Sequence, residues 1–92
     1  MVGEMIKFRN LLDQHNIRWI DKSDEIIDRT HLNYRNYHFS VVNGLGTYGG
    51  YMIYESKNRG LLELMSNAIN EGEPVGQLTA EEAFKIVLGG KL

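Results

Sequence analysis

The sequence predicts an α+β fold: a four-stranded antiparallel meander with one N-terminal helix and two C-terminal helices. Apolar residues recur every three or four positions near both ends of the chain, the period of a helix with one buried face. Between them lie runs in which β-prone residues alternate with polar ones, the period of a half-buried strand. The connections between these runs are short, which suits hairpins better than parallel crossovers. Ninety-two residues are enough for one domain, so residues 1–92 are read as a single α+β unit.

Residues 4 to 15 carry Met5, Phe8, Leu11, Leu12 and His15 on one helical stripe, with Lys7, Arg9, Asn10 and Asp13 off it. Asn16 is placed to end that helix, because asparagine tolerates the left-handed conformation of a C-terminal cap. Ile17-Arg18-Trp19-Ile20 reads as a short first strand, and Asp21 to Glu25 as the turn that breaks it. Two longer β-prone runs, Ile26 to Tyr34 and Tyr37 to Asn43, flank Arg35-Asn36. A two-residue turn there fixes the register, because a slip of one residue would exchange the two faces. Tyr34 then faces Tyr37, Leu32 faces Phe39 and Thr30 faces Val41, forming a core face. Asn33 faces His38, His31 faces Ser40 and Arg29 faces Val42, forming a polar one.

Tyr51 to Glu55 reads as the fourth strand. Leu61, Leu62, Leu64, Met65, Ala68 and Ile69 sit at helical spacing and predict a second helix over 60–71. Gly72 to Gly76 reads as a hinge-like linker. Thr79-Ala80-Glu81-Glu82 is a capping box that starts the last helix, which Gly89-Gly90 stops.

Composition removes several function classes. There is no cysteine, hence no disulfide, thiolate metal site or cysteine nucleophile. A net charge of −2 gives no electrostatic grip on a nucleic-acid backbone. No apolar run approaches membrane-span length, and the opening residues lack the basic and apolar blocks of a secretory signal. The expectation is a cytoplasmic protein with no membrane or duplex partner and no cofactor.

The seven residues Gly44 to Gly50 include four glycines, more than a tight hairpin needs. Gly44-x-Gly46-x-x-Gly49 matches a dinucleotide fingerprint in letters, but a strand-like run follows it where that fingerprint requires a helix. The acidic residues Asp21, Asp24, Glu25 and Asp28 lack calcium-loop spacing. His31 and His38 have no convergent third ligand in the sequence, so no metal is expected. His31-Leu32-Asn33 and His38-Phe39-Ser40 are similar to the paired motifs of two-histidine phosphoesterases, in which the histidines act as acid and base. Here the copies share one hairpin, and Asn33 stands where a hydroxyl is expected.

Non-catalytic binding asks for less coincidence. Arg29, His31, Asn33, His38 and Ser40 offer charge-assisted hydrogen bonds to a phosphate or carboxylate. Gly46, Thr47 and Gly49 allow backbone N–H groups to approach an anion, with Tyr48 and Tyr51 able to stack on a ring.

Taken together, Arg29-Thr30-His31, Phe39 to Val42, Gly44 to Gly50, Gly60 to Glu63 and Pro74 to Glu82 resemble short reading frames of phages and prophages. Small proteins of that company are often counter-defence factors. The resemblance implies either a homo-oligomeric sponge for a small anionic nucleotide-like ligand or an inhibitor of a host defence protein. A small phosphodiesterase using His31 and His38 is the third alternative.

Overall fold

The fold is built outward from one hairpin. In the computed structural model, which describes residues 3–25, 27–44, 61–68 and 72–89, strands β2 (Ile27–Tyr34) and β3 (Tyr37–Gly44) pair antiparallel in the predicted register. Tyr34 faces Tyr37, Leu32 faces Phe39 and His31 faces Ser40. The turn residues Arg35 and Asn36 have φ of 55° and 68°, the paired positive values of a turn whose twist matches that of the strands. Thr30, Leu32, Phe39 and Val41 are buried, as the core face requires. Tyr37 departs from this reading. It lies beside the turn and is exposed.

Helix α1 (Glu4–Gln14) buries Met5, Phe8 and Leu12 against that face. It ends as the sequence predicts. Asn16 takes φ 58°, its N–H donates to the Asp13 carbonyl, and the Ile17 N–H donates to the Leu12 carbonyl at 2.9 Å. This pair of bonds satisfies two terminal carbonyls, and Ile17 is buried beside them. The predicted first strand is shorter and later than expected. Strand β1 comprises Ile20–Asp21 and pairs with β2 through Ile20↔His31 and Asp21↔Thr30.

Two expectations are corrected. The stretch read as a helix over 60–71 contains strand β4 (Leu62–Ser66), which pairs with β3 through Phe39↔Ser66 and Val41↔Leu64. Leu62, Leu64 and Ser66 are buried on the core side. In so short an apolar run both periods fit, and the backbone groups along β3 supply what local spacing cannot: partners for the N–H and C=O groups of the run. The stretch read as a linker contributes strand β5 (Val75–Leu78), paired with β4 at Leu62↔Leu78 and Leu64↔Val75. One residue of β4 thus opposes two of β5, a bulge that Gln77 absorbs with φ 60°.

Helix α2 (Ala80–Val87) starts on the predicted capping box. The Thr79 hydroxyl accepts from the Glu82 N–H, and the Glu82 carboxylate accepts from the Thr79 N–H. Glu4 of α1 adds a third acceptor there, taking the Ala80 N–H at 2.8 Å. That bond, with a smaller contribution from Lys7, holds the Glu4 carboxyl below its ordinary range against the opposing cost of burial. At the other end of α2, the Arg35 guanidinium donates to the Leu88 carbonyl at 2.7 Å, fastening the hairpin turn to the helix.

The described residues therefore form an α+β sandwich. A five-stranded antiparallel sheet in the order β1-β2-β3-β4-β5 carries both helices on one face. The α+β class and the antiparallel sheet are as predicted; the strands and helices differ in number and, after β3, in identity. The predicted strand Tyr51–Glu55 lies outside the described residues. No helix among the described residues is long and apolar enough to cross a membrane.

Candidate functional site

The site arises where the sheet loses a strand. Strand β2 continues to Tyr34, but β1 leaves it after Ile20 opposite His31. Residues 16–19 diverge from β2 because the cap at Asn16 and the burial of Ile17 bind them to α1. An open cleft of about 1130 Å³ lies in the gap, slightly above the size range of typical small-ligand sites. Pairing with β3 uses the backbone groups of Leu32 and Tyr34, so the alternation of antiparallel bonds aims those of Asn33 into the gap.

The cleft reaches both faces of the sheet. On the helix side it is lined by Asp13, Asn16 and Trp19, and on the open side by His31 and His38, with Arg18 and Lys22 completing the wall. Trp19 is firmly placed. Its indole N–H donates to Asp13 Oδ1 at 2.8 Å, and the Arg9 guanidinium lies 4.8 Å from the ring centroid on one face. Arg9 itself is anchored: Nε donates to Thr30 Oγ1 at 2.7 Å, and Nη2 donates to the Arg29 carbonyl at 3.2 Å and pairs with Asp21 at 3.3 Å.

On the open side the imidazoles of His31 and His38 meet edge to face, with centroids 5.1 Å apart. His38 Nδ1 lies 3.0 Å from Asn33 Oδ1. With the amide oxygen accepting, the proton sits on Nδ1 and Nε2 is left for a ligand. Burial lowers the pKa of His31, and the charges of His38, Arg29 and Lys22 lower it further. His31 is therefore neutral at neutral pH in a neighbourhood already rich in positive charge. An incoming anion reverses that balance by favouring its protonation.

The structure thus brings together three residues of the predicted set, His31, Asn33 and His38. Arg29 and Ser40 share their face, but neither lines the cleft: Arg29 directs its guanidinium to the Lys22 carbonyl at 3.5 Å, and Ser40 lies opposite His31 and next to Met65. Gly46, Thr47, Tyr48, Gly49 and Tyr51 lie outside the described residues. Sequence reasoning missed Arg18, Trp19 and Lys22, having read the first two as strand and the third as turn. The available signal was an arginine beside the chain's one tryptophan, immediately before a break in the pattern.

No group of three or more His, Asp or Glu side chains is arranged to hold a metal among the described residues. The acidic turn has structural work instead. Asp21 accepts from the Ser23 N–H and Asp24 from the Ile27 N–H, each at 2.9 Å. The bonds from Ser23, and then the Arg9 charge, lower the Asp21 pKa. No protein-family model, no curated protein and no solved structure matches this chain.

Proposed function

We propose that this domain binds a small anionic, nucleotide-like ligand in the cleft beyond the end of β1 and holds it without turning it over. One observation carries the reading: two imidazoles, an amide and two cations, from sequence positions 18 to 38, line one open cleft, with Asp13 as its one carboxylate among the described residues. Arg18 and Lys22 supply charge, His31 and His38 supply donors once protonated, and Asn33 supplies a backbone and a side-chain amide. Nothing in this set requires a metal. The likeness to phage and prophage reading frames supports a counter-defence role in which a homo-oligomer sequesters a nucleotide signal.

Native mass spectrometry of the protein purified from cells, with extraction of bound small molecules, tests the reading directly. An anionic ligand recovered intact supports sequestration, whereas the same ligand recovered cleaved moves the assignment to a phosphodiesterase using His31 and His38. Calorimetric titration with inorganic pyrophosphate locates the site. Arg18→Ala and Lys22→Ala should each weaken binding by roughly tenfold, the weight of one charge-assisted hydrogen bond. Unchanged affinity in both variants would exclude the cleft.

A second reading, inhibition of a host protein, draws on a different observation. Ile20 and Met65 are 59% and 44% exposed on the open face of the sheet, in one row with His31 and Ser40. Co-purification of a host protein that Ile20→Lys releases, with no small molecule bound, would favour it.

A further inference from the structure

We infer that Trp19 is the stacking platform of this site, so that its ligand carries a planar aromatic ring at one end and its anionic group at the other. The inference rests on the anion-binding reading of the cleft and adds the ligand's second half. Three features of Trp19 are those of a platform. Its edge is tethered by the bond to Asp13, which lowers the cost of ordering the ring when a ligand binds. Arg9 occupies one face, and Trp19 lines the cleft. The ring is half-buried and packed against the core, so it is rigid and still reachable.

The placement also orders the ligand. Trp19 reaches the cleft from the helix side, where its partners Arg9 and Asp13 lie. His31 and His38 reach it from the open side, since Leu32 and Phe39 between them in register take the core face. Among the described residues, the two halves of the site meet past the end of β1. A compact anion touches one half. A nucleoside phosphate, with ring and phosphate separated by a sugar, spans both.

The chain's single tryptophan makes the test direct, because emission reports on Trp19 alone. The wild-type protein is titrated with AMP, GMP, CMP and UMP, and with ribose 5-phosphate, which keeps the anion and lacks the ring. Fluorescence and calorimetry are read in parallel. At least one nucleoside monophosphate should quench Trp19 saturably and bind about tenfold or more tighter than ribose 5-phosphate, the weight of one stacked base. Ribose 5-phosphate should bind without quenching. Trp19→Leu should remove the advantage of the ring and Trp19→Phe restore part of it. Equal affinity for ribose 5-phosphate and all four nucleotides, or tighter nucleotide binding with unaltered emission, would overturn the stacking role and leave anion binding standing. If calorimetry detects neither sugar phosphate nor nucleotide, the anion reading fails and this inference with it.

Discussion

Replacing Arg9 should cost this domain a large share of its stability, although a helical wheel places the residue toward solvent. Its side chain is 18% exposed and ties three elements together. Nε donates to a Thr30 hydroxyl that is fully buried and itself donates to Met5 Sδ at 3.2 Å. Nη2 donates to the Arg29 carbonyl, and the guanidinium covers Trp19. A hydrogen bond from a charged donor to a buried acceptor contributes about 1.5–3 kcal/mol. The part-buried bond to the Arg29 carbonyl adds about 1 kcal/mol, and the cation–π contact about 0.5–1 kcal/mol. Releasing the side chain returns up to about 2 kcal/mol of conformational entropy. The exposed pair with Asp21 is left out of the sum.

The net for Arg9→Met, which keeps the apolar stem, is about 1–3 kcal/mol. At about 4–8 °C per kcal/mol for a domain of this size, Tm should fall by about 4–24 °C. Thermal and urea unfolding followed by circular dichroism measure it. A double-mutant cycle with Thr30→Val separates the buried bond from the rest and should give a coupling energy of about 1 kcal/mol or more. A Tm within about 2 °C of the wild type, or an additive cycle, would refute the reasoning and return Arg9 to the surface.

Three further outcomes follow from particular contacts. Burial and its charged neighbours lower the folded-state pKa of His31 from the ordinary 6.5. Its contribution to stability is therefore fully present above pH 6.5 and is lost as pH falls through the lowered folded value. An NMR titration should place the His31 midpoint below 6.5, and a midpoint at or above that value would contradict the burial. Thr79→Ala removes one half of the capping box and should cost about 1 kcal/mol, read as a lower urea midpoint with an unchanged slope; no shift would mean that Glu4 and Glu82 suffice as caps. At Asn36, with φ 68°, valine should cost about 1–2 kcal/mol while glycine stays within about 0.5 kcal/mol of the wild type. If valine unfolds at the same urea concentration as glycine, the turn geometry is wrong.

The candidate site was legible only where local pattern and function coincide. His31, Asn33 and His38 were found because the alternation of the hairpin puts them on one face, and Arg35-Asn36 fixes that alternation. Trp19 and Lys22 were not, because their place in the cleft depends on where β1 stops pairing, which is decided by the pull of α1 on residues 16–19. Arg9 was misjudged for a related reason. It lies four residues after Met5 and three before Leu12, at the margin of the buried stripe, and a partner on another element determines whether a marginal position is buried.

What the sequence determined by itself is what short-range physics enforces. The hairpin register, the left-handed Asn16 stop and the Thr79 capping box each involve residues within a few positions of one another, so their chemistry is complete in the local string. What the tertiary structure alone decided is the identity of the elements whose partners are distant. Leu62–Ser66 fits either period, and it is a strand because β3 offers it hydrogen bonds along a full edge and a buried face for Leu62, Leu64 and Ser66. Val75–Leu78 is a strand because β4 is then beside it, despite a glycine and a left-handed Gln77. Backbone groups buried away from water must be paired, and that requirement belongs to the assembled sheet rather than to any segment of it.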